Sequence, residues 1–320
     1  MKKATKDVLL AIFLGIIIPT AVIRVTETWL IPKEDSPPQT ELTQAPTRQL
    51  TEEQSICVLT EQNTYRNMAL EEYVLGVVLA EMPASFEPEA LKAQAVVART
   101  YALKRSTTAG KHLQNAVCTD PNCCQAYKDP SFEEEELLQK VRDAVVSTAG
   151  KVLTYDGALI EATYFSCSGG RTEDAQAVWG QQIPYLISVS SPGEEQATHY
   201  TDTVQFELDE FCALLELEKP DNTQNWLSNV EYTDGGGVEA IKIGGKVYTG
   251  MQFRQLLGLR STAFVISVVG QTVTVTTKGF GHRVGMSQHG AEAMAVNGDT
   301  YETILSHYYP GTVLEHWRGD

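Results

Sequence analysis

The chain changes hydrophobic pattern three times. Residues 8–23, VLLAIFLGIIIPTAVI, are apolar on every face, with Thr20 as the polar exception. As a helix this run is about 24 Å long at ~1.5 Å per residue, somewhat short of a hydrocarbon core of ~30 Å. A secretory signal and a membrane anchor both have this pattern. The branched and aromatic residues of PTAVIRVTETWL lack the small-residue cleavage pattern of a signal and favour an uncleaved anchor. Lys2, Lys3 and Lys6 before the run place the N-terminus in the cytoplasm and everything after it outside. Residues 32–55 reverse the pattern, with four prolines and almost no apolar content, the composition of a solvated tether.

Helical periodicity begins at Leu70. LEEYVLGVVLAEMP is acidic in its first turn and stopped by Pro83, so it predicts a helix with Glu81 at its C-terminal end. PEALKAQAVVARTYALKR predicts a second, with Pro88 at the first helical position and alanines that allow close packing. The two form a hairpin around the turn 82–87. A third helix is predicted over 131–150, with the glutamates 133–136 at its N-terminal end and Gly150 as its cap. After Gly150 the period shifts towards two: KVLTY, the Asp156-Gly157 turn and ALIEATYF read as a β-hairpin. Further strands are expected at 227–233, 238–249 and 264–277, and short helices at 208–217, 250–258, 288–296 and 300–308. The expected class is α+β, a helical first part packed with a strand-rich second part behind a single N-terminal anchor. The organisation is 1–31 cytoplasmic stub and anchor, 32–55 tether and 56–320 extracytoplasmic domain.

Composition adds an exclusion. The chain has 320 residues, 42% hydrophobic, with a net charge of −16. The first 24 residues are basic, so more than the whole negative charge lies beyond them. Such a surface repels phosphate backbones and argues against nucleic-acid binding.

Three of the six cysteines crowd together in His112-x5-Cys118-x4-Cys123-Cys124, between two predicted helices. One imidazole and three thiolates suit a closed, structural tetrahedral Zn²⁺ site. In an exported domain, disulfides are the rival explanation, and spacing alone leaves both open. Cys167, in the Gly-rich turn Ser166-Cys167-Ser168-Gly169-Gly170, reads as a small buried residue rather than a nucleophile, and Cys57 and Cys212 read as core residues.

Glu81 stands out among the acidic residues. It follows the apolar VVLA and ends a helix where unsatisfied carbonyls disfavour negative charge. Both settings raise a carboxyl's pKa, as a general acid needs near neutrality. Arg99 lies mid-helix in an alanine-rich stretch, where it either pairs with a core carboxylate or orients an anionic group. GFGHRVGMSQHGAEAMA (279–295) combines three glycines with His282, Ser287, Gln288 and His289, and no H-E-x-x-H motif exists, which disfavours a metallopeptidase.

LAEMP (79–83), KAQAVVARTYAL (92–103), YFSCSGGRTEDAQAVWG (164–180), PYLISVSSP (184–192) and GFGHRVGMSQHGAEAMA, in this order, resemble the stage II sporulation protein D family from about residue 56 to 318. The resemblance implies a lytic transglycosylase acting on peptidoglycan stripped of stem peptides during engulfment of the forespore. It also implies a single-pass membrane protein whose catalytic domain faces the intermembrane space. Its partners would be an engulfment amidase and endopeptidase and a polytopic membrane protein. Glu81 matches the family's catalytic glutamate and Arg99 its important arginine, which would support Glu81 or bind the lactyl carboxylate. His112, Cys118, Cys123 and Cys124 match a zinc site described in the family, where histidine also occurs at the position of Cys123. Tyr164, Ser168, His282 and Gln288 are the expected sugar contacts, and Trp179 either stacks on a sugar face or belongs to the core. The alternative is a non-catalytic glycan-binding module or an activator of a cell-wall amidase.

Overall fold

The computed structural model describes residues 54–107, 110–224 and 226–318, so the expected stub, anchor and tether up to residue 53 lie outside the described residues. Among the described residues, no helix is long and apolar enough to cross a membrane.

The described chain opens with an antiparallel hairpin, β1 (Ser55–Leu59) and β2 (Tyr65–Ala69). It leads directly into α1 (Leu70–Glu81), which is buried on almost every face, and then into α2 (Pro88–Thr107). Ala90, Ala93, Ala95, Ala98 and Ala102 of α2 have no exposed surface, and small side chains let the surrounding elements approach closely. β3 (Val117–Cys118) then pairs in parallel with β1. Cys57 points away from the core that Ile56 and Val58 enter. It is half-buried with its thiol 3.6 Å from Gln114 Oε1, so the expectation of a core cysteine is corrected by strand alternation.

α3 (Glu135–Ser147) is shorter than predicted. Asp129 caps a separate short turn at Pro130–Phe132, and Glu133 turns away to bind Lys128 at 2.7 Å. β4 (Lys151–Tyr155) and β5 (Ala158–Leu159) form the expected hairpin, with Asp156 (φ 51°) and Gly157 (φ 77°) in its turn. The hairpin ends there, because β6 (Tyr164–Phe165) leaves to pair elsewhere, and α4 (Ala175–Trp179) follows.

The strand-rich part is an insertion with its own core. It comprises β7 (Thr201–Glu207), α5 (Leu208–Leu214), β8 (Leu227–Tyr232), β9 (Val238–Ile243), β10 (Lys246–Thr249), α6 (Gly250–Leu257), β11 (Phe264–Val269) and β12 (Thr272–Lys278). Two three-stranded antiparallel sheets, β10-β9-β8 and β11-β12-β7, pack around Phe211 and Phe253. The predicted strands 238–249 and 264–277 are each a hairpin, broken at Gly244-Gly245 and at Gly270. The Gly279 amide donates to the Tyr200 carbonyl at 2.9 Å, closing the neck of the insertion.

Beyond it the chain returns to the first core as β13 (Met286–Ser287), α7 (Gln288–Val296), α8 (Tyr301–Tyr308) and β14 (Val313–His316). β13 pairs in parallel with β6, and β14 pairs antiparallel with β4. The class is α+β, but helices from both ends of the described chain share one core instead of dividing into a helical first part and a strand-rich second part. Arg283 joins this core to the insertion: it pairs with buried Glu173 at 3.1 Å and donates to the Gly235 carbonyl at 2.7 Å. Gly237 is required there, because a Cβ would lie 2.3 Å from Glu173 Oε1.

At the centre of the first core, Arg99 has no exposed surface. Its Nε and Nη2 donate to the two oxygens of Glu71 at 2.8 and 2.5 Å, and its remaining bonds go to the Lys151 and Val145 carbonyls. Glu71 also accepts from the Gly150 amide at 3.1 Å. This one pair therefore fixes α1, α2, the end of α3 and the start of β4. Removing one partner of a buried pair costs about 3–5 kcal/mol, because the other charge is left uncompensated. Arg99→Met is expected to lose stability of that order in chemical denaturation, and Arg99→Lys, which lacks the planar fork, less. An unchanged midpoint for Arg99→Met would contradict the anchoring role.

Candidate active site and metal-ligand cluster

Glu81 is the last residue of α1, and Met82 turns the chain into an extended conformation immediately after it. The carboxyl is half-buried, so it keeps a path to solvent. It accepts from the Ala126 amide at 2.7 Å, and the Tyr164 phenol beside it also favours its charged form. Burial raises its pKa above the ordinary carboxylate range, and these two groups pull it partly back. The expected elevation is present, and desolvation is its main cause.

The Ala126 amide is delivered by a strap that runs along α1. Tyr127 stacks against Tyr73 with centroids 6.0 Å apart, and the Lys128 amide donates to the Gly76 carbonyl at 3.0 Å. Gly76 makes this possible, since a Cβ there would sit 2.2 Å from the Tyr127 ring. On the other side of the acid, Tyr164 is held on β6 by its pairing with Met286 of β13, which brings the segment 279–295 alongside. Burial pushes the Tyr164 phenol well up, so it remains a proton donor.

The other expected sugar contacts divide. His282 packs on Phe165 and Trp179 at 5.7 and 5.5 Å, accepts from the Val284 amide through Nδ1, and hydrogen-bonds the Tyr164 backbone. Burial and the nearby Arg254 charge push it down to about 4, so it is a neutral imidazole near pH 7. Trp179 is 41% exposed and is not a core residue. Gln288 opens α7 almost fully buried, and its Nε2 has no partner among the described residues.

Ser168 is corrected. It has no exposed surface and donates its hydroxyl to Glu194 Oε2 at 2.7 Å. The same oxygen takes the Ser168 and Gly169 amides and the Cys167 thiol, while Oε1 takes the Ser191 and Ser287 hydroxyls. Burial and this carboxylate push the Cys167 thiol up to about 12, so it stays a thiol, in keeping with a buried, non-nucleophilic role. Glu194 was not singled out in the sequence. The Gly-rich turn at 166–170 carries no mark in the sequence of the carboxylate its amides enclose.

Arg99 is also corrected as a group that touches Glu81 or substrate. Glu71, its partner, precedes Glu81 by ten positions on α1, about 15 Å at ~1.5 Å per residue, and the guanidinium is enclosed. Of the two settings expected for Arg99, pairing with a core carboxylate is the one observed.

The ligand atoms of His112, Cys118, Cys123 and Cys124 all lie within 4.8 Å of one another, with Cys123 Sγ 3.3 Å from His112 Nε2. The cluster is built by β3 and by a turn in which the Cys123 and Cys124 amides both donate to the Asp120 carbonyl. None of the six cysteines is in a disulfide. One imidazole and three sulfurs converging in this way match the donor set of a closed tetrahedral zinc site.

Residues 59–155, which contain Glu81, Arg99 and the whole cluster, match the family model described as Stage II sporulation protein. The chain is 43% identical over 264 residues to stage II sporulation protein D of Bacillus subtilis (strain 168), spanning 80% of this chain and 77% of that protein. It is 41% identical over 262 residues to stage II sporulation protein D of Bacillus amyloliquefaciens, spanning 79% and 76%. It is also 30% identical over 294 residues to a protein named Amidase enhancer from Bacillus subtilis (strain 168), spanning 75% of this chain but 40% of that protein. With this extent of identity, and with the matched segment carrying both the candidate acid and the cysteine cluster, the chain belongs to the stage II sporulation protein D family.

Proposed function

We propose that this sporulation protein is a peptidoglycan lytic transglycosylase that cleaves the bond between N-acetylmuramic acid and N-acetylglucosamine in glycan strands lacking stem peptides. The observation that carries the reading is Glu81: a carboxyl with a raised pKa, open to solvent on one side and fixed by a helix end and a backbone amide on the other. Protonated, it donates to the glycosidic oxygen as the bond from the muramyl C1 breaks and charge develops on the sugar. As a carboxylate it then takes the proton of the muramyl 6-hydroxyl, whose oxygen closes on C1 to give a 1,6-anhydro end and a free 4-hydroxyl on the departing glucosamine. One carboxyl suffices for both steps, unlike the two-carboxylate hydrolases. Burial raises the Glu81 pKa, and the groups that partly offset it, the Ala126 amide and Tyr164, are not carboxylates, which suits a single-carboxyl cycle.

The acid must be protonated to act, so the rate falls as pH rises through the Glu81 pKa. Elevation of that pKa moves the fall upward from the ordinary carboxylate range. Because folding favours the protonated form, ionising Glu81 costs the native state stability. Glu81→Gln therefore removes a burden at neutral pH, and the variant is expected to be no less stable than the parent. Cleavage of peptide-free glycan should drop by at least about 10²-fold in Glu81→Gln, with glycan binding retained. Cleavage by Glu81→Gln at the parent's rate would take Glu81 out of the reaction, and no cleavage by the parent itself would sink the enzymatic reading in favour of a second one. In that reading the protein binds glycan and activates a cell-wall amidase, which the likeness to an Amidase enhancer favours.

We further propose that His112, Cys118, Cys123 and Cys124 hold one structural Zn²⁺, which would fix the loop leading into the Ala126 strap. Elemental analysis of the purified chain should give one zinc, and Cys118→Ser should lower both the zinc content and the thermal midpoint. Disulfides among Cys118, Cys123 and Cys124, without zinc, would refute this site. The reading places the domain outside the cell membrane, held by the apolar segment within residues 1–31, working beside the wall amidase and endopeptidase of engulfment and a polytopic membrane partner.

A further inference from the structure

Gln125, directly after the ligand pair Cys123-Cys124, has no exposed surface, and both ends of its amide are engaged. Oε1 accepts from the Tyr73 phenol at 3.4 Å, and Nε2 donates to the Tyr164 phenol oxygen at 3.1 Å. An ionised carboxylate offers no proton, so in its interaction with an ionised Glu81 the Tyr164 phenol can only donate. With its one proton committed to Glu81, the Tyr164 oxygen can only accept from the other side. The amide must then present its NH₂ there, and Tyr73 holds it that way by donating to Oε1.

We propose that Gln125 is a positioning residue for the chemistry at Glu81: clamped by Tyr73, its amide holds the Tyr164 phenol in the orientation that donates to the carboxylate. The chain has one direction, from Tyr73 through Gln125 and Tyr164 to Glu81, and hydrogen bonds aligned in series polarise one another. Its members come from α1, the segment after the cysteine cluster and β6, so it links three separate parts of the sequence. A glutamine that merely satisfied its own burial would need partners but no particular direction. The other titratable groups acting on this chain are Tyr101 on α2 and Cys118 and Cys124 of the loop, which face Tyr73. This inference rests on the reading of Glu81 as the acid–base group.

The test is the pH dependence of glycan cleavage by the full chain, comparing the parent with Gln125→Met, Tyr73→Phe and Glu81→Gln. Gln125→Met is close in volume and adds no charge; it removes the NH₂ that holds the phenol, so Tyr164 is no longer fixed towards Glu81. Tyr73→Phe releases Oε1 and lets the amide present it to Tyr164, with the same consequence. Deprived of that donor, the Glu81 carboxylate is less stabilised. The alkaline limb of the rate should then move to higher pH in both variants, by about half a unit or more, roughly threefold in the acid constant. Tyr73→Phe removes a single oxygen and keeps the volume, so it decides the matter if Gln125→Met does not fold. A purely structural role lowers the thermal midpoint and the rate but leaves the limb in place, and coincident limbs overturn the proposal. If Glu81→Gln cleaves at the parent's rate, the acid–base reading fails first and the proposal falls with it, an outcome distinct from unmoved limbs.

Discussion

A guanidinium with no exposed surface has to be neutralised where it sits, and the first core is arranged around that requirement. Arg99 reaches both oxygens of Glu71 and two backbone carbonyls, and so joins α1 and α2 to the end of α3 and the start of β4. A planar fork against a carboxylate restricts rotation as well as distance, which a lysine would not. α1 is thereby held at its first turn, and the strap over Gly76 holds it again further along. Glu81 extends from the far end of a helix that has little freedom to move. The arginine is thus linked to Glu81 through α1, and with no exposed surface it stays enclosed in the core.

The acid itself is a compromise between two opposing effects. Desolvation favours the proton, and the Ala126 amide and Tyr164 favour the charge. A group proposed to give a proton and then take one back needs both forms within reach. The backbone donor comes from the segment after the cysteine cluster, and the phenol comes from a strand that pairs with the glycine-rich segment 279–295. Conformational order in either segment therefore bears directly on the carboxyl. On the proposed zinc reading, the cluster would steady a loop and leave the chemistry to Glu81.

What was legible in the sequence is what short-range physics decides. Pro83 and Pro88 bound the two central helices, and the apolar run before Glu81 announced its burial. The Asp156-Gly157 turn and the capped helices at 250–257 and 288–296 were likewise local signals. Contacts between distant residues were not legible. The carboxylate that neutralises Arg99 lies 28 positions away, in a helical first turn where an acidic residue already has a local explanation. Ser168 looked like a hydroxyl available to a sugar until Glu194 filled its nest. The strand-rich stretch read as a second half, because nothing in its own residues says that α7, α8 and β14 return to the first core. Gln125 gave no signal, since a glutamine after two cysteines reads as loop until Tyr73 and Tyr164 are seen on either side of it.

The central claim is that one carboxyl performs both proton transfers and that the sugar's own 6-hydroxyl, not water, closes the reaction. Digestion of peptide-free glycan strands in ¹⁸O-labelled water, followed by mass spectrometry of the new ends, tests this most directly. The account predicts 1,6-anhydro-muramyl ends that carry no ¹⁸O. Reducing ends labelled with ¹⁸O would contradict it.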